Sequence, residues 1–169
     1  MKNDSQGFSL IELLIVVAII LIIAAIAIPN LMRSRVAANQ ASAVGSLRTL
    51  STAEFTYSAT YSKGYSATLG YLGPPPSGAA DLTHSGVVDS LLSGVATGGL
   101  GAMTATKSGY LFTYSPGAPI NGEVFSYTIT ADPINRGTTG TNSFFVDQTG
   151  VIRQNSTTQA GLADSPLAG

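Results

Sequence analysis

One carboxylate, Glu12, stands in an otherwise apolar stretch, GFSLIELLIVVAIILIIAAIAIP, from Gly7 to Pro29. An acid placed at mid-bilayer costs roughly 2.5–3.5 kcal/mol on insertion scales and less near a helix end, so Glu12 either lies close enough to the interface to stay wet or marks a functional position, the default for an intramembrane acid. Its natural complement is a cation. Cutting the chain after Gly7 would give Phe8 a new α-amino group, which is mostly cationic at pH 7 because its ordinary pKa is about 7.7–8.0. Phe8 and Glu12 stand four residues apart and share a face if both are helical. An amine on a neighbouring copy would serve equally well. In a low dielectric either pairing is stronger than at a wet surface, although desolvation offsets much of the gain.

The element that must position this acid is the run itself. Leu13 to Ile28 contains no polar residue. A helix needs about 20 apolar residues to cross a bilayer core of about 30 Å, and this run meets that length. A cleavable secretory signal has a shorter apolar core, closed by a small-residue cleavage site. Here the small residue, Gly7, comes before the run, and Pro29-Asn30-Leu31-Met32-Arg33 follows it. Pro29 removes one helical hydrogen bond and crowds the preceding turn, which predicts a kink or a local opening. Beyond it, Ala37, Ala41, Val44, Leu47, Leu50, Ala53, Tyr57 and Tyr61 recur at three- and four-residue steps and form one helical stripe. A single long helix follows, apolar all round in its first half and amphipathic in its second. Gly45 weakens the second half by about 1 kcal/mol relative to Ala.

Composition sets the outer limits. The chain has 169 residues, a formal net charge of −1 and no cysteine. A length prior of about 150 residues per domain allows one domain plus an appended segment. The charge gives no basic face for duplex nucleic acid, so no sequence-specific nucleic-acid partner is expected. Lack of cysteine removes disulfides, thiolate metal sites and a cysteine nucleophile together.

From about Ser58 to Lys107 the signals are those of loops. GPPPSG at Gly73–Gly78 is a rigid turn, SGVVDSLLSGVA at Ser85–Ala96 has room for one short helix, and TGGLGAM at Thr97–Met103 is flexible. Strands come last. Tyr110–Ser115 places Tyr110, Phe112 and Tyr114 on one face, and Phe125–Ala131 alternates Phe125, Tyr127 and Ile129 with polar residues. Ser143–Asn155 reads as two strands around Asp147-Gln148-Thr149-Gly150. These strands predict an antiparallel meander with one buried face, covered by the stripe of the long helix. The class is α+β. The tail from Thr157 to Gly169 has no periodicity and reads as loosely ordered.

Other candidate chemistry is sparse. His84 is the single histidine, and no G-x-S-x-G surrounds a serine, so a hydrolytic triad has no local support. Asp81, Asp89, Asp132, Asp147 and Asp164 lack calcium-loop spacing. The Ala131–Asn142 loop, ADPINRGTTGTN, is explained by turn formation more simply than by a metal. Tyr57, Tyr61, Tyr65 and Tyr71 are spaced for packing against the sheet, not as a stacking platform for single strands. Ser and Thr residues around Asn155–Thr158 offer glycosylation acceptors that nothing else requires.

The segment GFSLIELLIVVAIILIIAAIAIPNL, Gly7 to Leu31, resembles the N-terminal signature of type IV pilins and the related pseudopilins of type II secretion. The pattern is a short hydrophilic leader ending in Gly, then Phe, a Ser or Thr, Leu-Ile-Glu and a long apolar helix. Past Tyr61 the resemblance is one of layout only, and the cysteine pair of many pilins is absent. The resemblance implies an inner-membrane precursor with its head outside the cytoplasm, and later a filament at the cell surface. A prepilin peptidase would cut between Gly7 and Phe8 and methylate the Phe8 amine. Glu12 would form a salt bridge to the N-terminal amine of an adjacent subunit, and Pro29 would mark the helix kink. The expected organisation is a leader at 1–7, a transmembrane and assembly helix at 8–29, its amphipathic continuation at 30–58 and a head at 59–169. Within the head, a loop region covers 59–108, the sheet 109–156 and the tail 157–169. The implied partners are further copies of the chain in a homopolymer, the peptidase and methyltransferase, inner-membrane lipid and the pilus assembly machinery. No enzymatic activity, cofactor or metal is expected. Arg33 and Arg35 outnumber Lys2 across the span, and charge counting alone would reverse the orientation. Long polar domains translocate largely regardless of flanking charge, so the orientation implied by the resemblance is kept. A pseudopilin of a secretion machine and a membrane-tethered binding or enzymatic domain are the alternatives.

Overall fold

A computed structural model describes residues 8–167. The chain divides into two compact units, Met1–Arg35 and Val36–Gly169. In the first, apolar residues recur without polar interruption, and the backbone satisfies its own hydrogen bonds as a helix. Helix α1 runs over Leu10–Tyr61, 52 residues, with Pro29 inside it. The helical assignment is uninterrupted through Pro29. Pro29 has no N–H to give the carbonyl of Ala25, so one rung of the ladder is missing there.

In the second unit, the C-terminal part of α1 packs on a five-stranded antiparallel sheet. The strands are β1 Thr104–Lys107, β2 Tyr110–Pro116, β3 Tyr127–Pro133, β4 Ser143–Asp147 and β5 Arg153–Asn155. They pair in chain order, a meander. Alternation fixes the register. Tyr110, Phe112 and Tyr114 of β2 point inward, as do Tyr127, Ile129 and Ala131 of β3. Tyr114 lies opposite Ile129 and Phe112 opposite Ala131, which aligns the two buried rows. Leu47, Leu50, Ala53 and Tyr57 of α1 close the core against them. Every β4 side chain is buried, including Ser143 and Asp147.

Several sequence expectations change. The buried face of α1 is Ala43, Ser46, Leu47, Leu50, Ser51, Ala53, Glu54 and Tyr57, whereas Ala37 and Ala41 are exposed. A stripe drawn through apolar residues alone drifts off a face that carries three polar ones. Strand β1 lies inside the stretch expected to be loop. It is four residues long and buries only Ala105, too little for alternation to announce it. Phe125 lies outside β3 and is exposed. The short helix expected within Ser85–Ala96 forms later, as α2 at Val95–Gly98.

The tail is also held down, through polar contacts that hydropathy does not register. The Gln154 N–H donates to the Ser165 carbonyl at 3.0 Å, and the Leu167 N–H donates to the Ile152 carbonyl at 2.8 Å. The tail thus covers the open edge of β5, which would otherwise present unpaired backbone groups. Arg136 donates to the carbonyls of Ser156 and Thr158, both at 3.1 Å. Gln159 donates to the Asp132 carboxylate at 2.7 Å.

Because Leu47 is fully buried between helix and sheet, Leu47→Ala is expected to lower head stability by about 2–5 kcal/mol in denaturant unfolding. Leu111→Ala, on the outer face of β2, should cost about 0.5 kcal/mol or less in the same assay.

Candidate assembly and processing segment

The N-terminal site is built on the first turn of α1. Phe8 and Ser9 precede the helix, and Phe8 is 82% exposed. Ser9 occupies the capping position. Its carbonyl accepts the Leu13 N–H at 3.2 Å, and its own N–H donates to Glu12 Oε2 at 3.2 Å. Ser-x-x-Glu is the sequence of a capping box, in which the third helical residue reaches back to the N-cap amide. Glu12 also places negative charge at the positive end of the helix dipole. The acid therefore has a local structural role that hydropathy and the Phe8 spacing did not reveal. The Ser9–Glu12 spacing was the signal for it.

The candidate residues fall into three groups. Phe8 and Glu12 lie together at the helix start. In this chain Phe8 is joined to Gly7, and the first turn engages Glu12 through Ser9. Gly7 lies outside the described residues. Pro29 is about five turns further along α1. Between them, from Leu10 to Met32, the large apolar side chains are about half to three-quarters exposed. The helix is long and apolar enough to cross a membrane, and none of its most apolar window is buried within the chain.

The other candidates are accounted for by local structure. Asp81 accepts the Thr83 hydroxyl at 2.9 Å and the N–H groups of Thr83 and His84, both at 2.8 Å, which holds its carboxyl below the usual range. His84 contacts this turn through Asp81 at 3.4 Å and the Thr83 hydroxyl at 3.0 Å. In the Ala131–Asn142 loop the guanidinium of Arg136 donates to the Thr141 carbonyl and the Ser143 hydroxyl. Among the described residues no group of three or more His, Cys, Asp or Glu side chains is arranged to hold a metal. The tyrosines pack: Tyr65 meets Tyr127 at 4.8 Å between ring centroids, and Tyr57 meets Tyr61 at 5.0 Å.

One titratable residue escaped the sequence reading. Glu54, on the core face of α1, is completely buried. Oε2 accepts the Ser66 N–H at 2.9 Å, and Oε1 accepts the Ser66 hydroxyl at 2.6 Å. Burial pushes its pKa from 4.5 up to about 7, and the bonds from Ser66 restrain the rise. Ionising it in the folded head costs about 3 kcal/mol more than in an open chain. Its place in the i, i+3, i+4 pattern with Leu47, Leu50 and Tyr57 was the available signal.

The comparisons with known proteins bear on the first helix. A family model, the prokaryotic N-terminal methylation motif, matches residues 2–28. The chain is 52% identical over 50 residues to a type IV major pilin protein, PilA, of Myxococcus xanthus; the match covers 30% of this chain and 23% of that one. It is 62% identical over 37 residues to the type IV wide pilus major component PilA4 of Thermus thermophilus, covering 22% of this chain and 28% of that one. The aligned segments thus span about a quarter of the length of these curated relatives. No solved structure matches. The chain therefore carries the N-terminal methylation motif of prokaryotic prepilins, and its matched segment is similar to those of type IV major pilins.

Proposed function

We propose that this chain is a structural subunit of a type IV pilus, polymerised through its apolar N-terminal helix after removal of residues 1–7. The observation that carries the proposal is a helix surface with no cover from its own chain, headed by a single acid, within the residues that match the methylation motif. Removal of the leader turns the Phe8 nitrogen from an amide into an amine. Methylation leaves that amine basic. Glu12 then acquires the Phe8 amine as a cationic candidate partner.

The apolar surface serves two environments in turn: lipid as the precursor, with the head outside the cytoplasm, and the packed interior of a filament after assembly. Apolar packing of this kind is strong but non-directional. A carboxylate that must find an amine on the adjacent copy supplies the register, because a subunit added out of place leaves a buried charge unpaired. The head supplies the outer surface. The peptidase and methyltransferase, membrane lipid and assembly machinery belong to this proposal as its partners. A pseudopilin would use the same helix chemistry in a short filament, and the relatives matched are pilus components by name. Surface fibres lost on deletion, seen by electron microscopy, separate the two.

Intact-mass analysis of the assembled protein is expected to give a chain that begins at N-methylated Phe8. A mature assembled pool retaining Met1–Gly7 would exclude the proposal. Glu12→Gln keeps an oxygen acceptor for the Ser9 amide and removes the charge. It is expected to leave α1 intact in detergent, by circular dichroism, while recovered filament falls at least about tenfold, the consequence of losing more than about 1.4 kcal/mol per added subunit. Normal filament yield from Glu12→Gln would remove the register role.

A further inference from the structure

We propose that Glu54 is a proton-operated latch on the segment Ser62–Ser66, holding it against the core when protonated and releasing it when ionised. This strap leaves the end of α1 and ties three parts of the head together. Ser66 binds both oxygens of Glu54. The hydroxyl of Tyr114, on β2, donates to the Ser66 carbonyl at 2.7 Å. The Tyr65 N–H donates to the Val124 carbonyl at 2.7 Å. The path is tight: Ser62 and Gly64 have φ of 52° and 73°, and a Cβ at Gly64 would lie 2.2 Å from the Val124 oxygen.

The groups facing Glu54 cannot neutralise its charge. They are Tyr57 on α1, Tyr65 on the strap, Tyr114 on β2 and Tyr127 on β3. All four phenols are raised above their ordinary value, chiefly by burial, and stay neutral through the physiological range. Among the described residues no Lys, Arg or His forms an ion pair with Glu54, and the strap's own Lys63 pairs with Glu123 at 3.6 Å. Ser66 and Tyr114 find acceptors in either form, and the two forms differ in the charge left inside the core. A protonated Glu54 donates to Ser66 Oγ in place of accepting from it, the Ser66 hydroxyl has Tyr114 Oη at 3.3 Å as its acceptor, and Tyr114 donates to the Ser66 carbonyl. In the ionised form the Ser66 hydroxyl donates to the carboxylate at 2.6 Å, and the anion stays fully buried with no cation paired to it among the described residues. Release of the strap lets water reach it.

The direction follows from linkage. The carboxyl titrates about 7 when closed and at 4.5 when open. The closed state therefore has its full advantage below about pH 4.5, loses it progressively up to about pH 7 and changes little above. The test is hydrogen exchange on the full chain in detergent micelles, read by NMR and corrected for intrinsic exchange rates. The opening constants reported by the Tyr65 and Ser66 amides are expected to rise about tenfold per pH unit between about pH 5 and pH 7. Amides of β3 should change far less. In Glu54→Gln, a neutral isostere, the dependence should vanish. Flat strap protection across that range in the natural chain, β3 amides moving in step with the strap, or an unchanged slope in Glu54→Gln would each overturn the latch. Should the variant not fold, the carboxyl carbon resonance of Glu54 in the natural chain decides instead. A midpoint near neutrality supports the latch, and one in the ordinary carboxylate range overturns it.

Discussion

Apolar surface without cover is the constraint on which the rest depends. Leu10 to Met32 presents Ile, Leu and Val side chains on every side of α1, and the chain itself buries none of the most apolar window. Burying one such side chain contributes about 1.5–3 kcal/mol. Exposed to water, the segment would associate indiscriminately. Its stable environments are lipid and a packed bundle of similar helices, and the proposed life of the chain is a transfer from the first to the second. That transfer requires an element with no preference of its own for one register, together with a single polar group that has one. Glu12 is the only ionisable side chain between Phe8 and Met32, so the directional information rests on it. The capping bond to Ser9 gives the acid a local partner within its own helix, which lowers the cost of carrying it.

The head solves a different problem. Few charges and many small polar residues give it little long-range electrostatic organisation, so its order comes from a compact aromatic core and from short-range hydrogen bonds. Tyr110, Phe112, Tyr114, Tyr127 and Phe144 fill the space between helix and sheet. The buried tyrosine hydroxyls find oxygen partners: Tyr110 donates to the Asn142 carbonyl, and Tyr127 pairs with Ser51. Glu54 is the exception in kind, a full acid in the same layer, hydrogen-bonded by Ser66 and faced by tyrosine hydroxyls.

Legibility followed the strength of apolar patterning. The long helix and the inward rows of β2 and β3 were readable because each buries periodic or alternating apolar residues, and β4 and β5 were readable from the Asp147–Gly150 turn between them. Strand β1 was not, because one buried alanine carries no pattern. The tail was missed because side-chain amides, carboxylates and Arg136 hold it. These are contacts between residues far apart in sequence. Glu54 was missed for a related reason: hydropathy assigns an acid to the surface, and only the helical phase set by Leu47 and Leu50 places it inside. At the N-terminus the motif was plain, but Ser9 was read as one letter of it and not as the cap that engages Glu12.

The central claim is that an amine–carboxylate contact between adjacent copies sets the register of an otherwise non-directional apolar assembly. A cryo-electron microscopy reconstruction of the assembled fibre, resolved at the helix starts, tests it most directly. The account predicts the Glu12 carboxylate within ion-pair distance of the Phe8 amine of an adjacent copy, with Leu13–Ile28 sealed from solvent by neighbouring helices. A fibre joined through head contacts alone, with Glu12 remote from any amine or Leu13–Ile28 facing water, would contradict it.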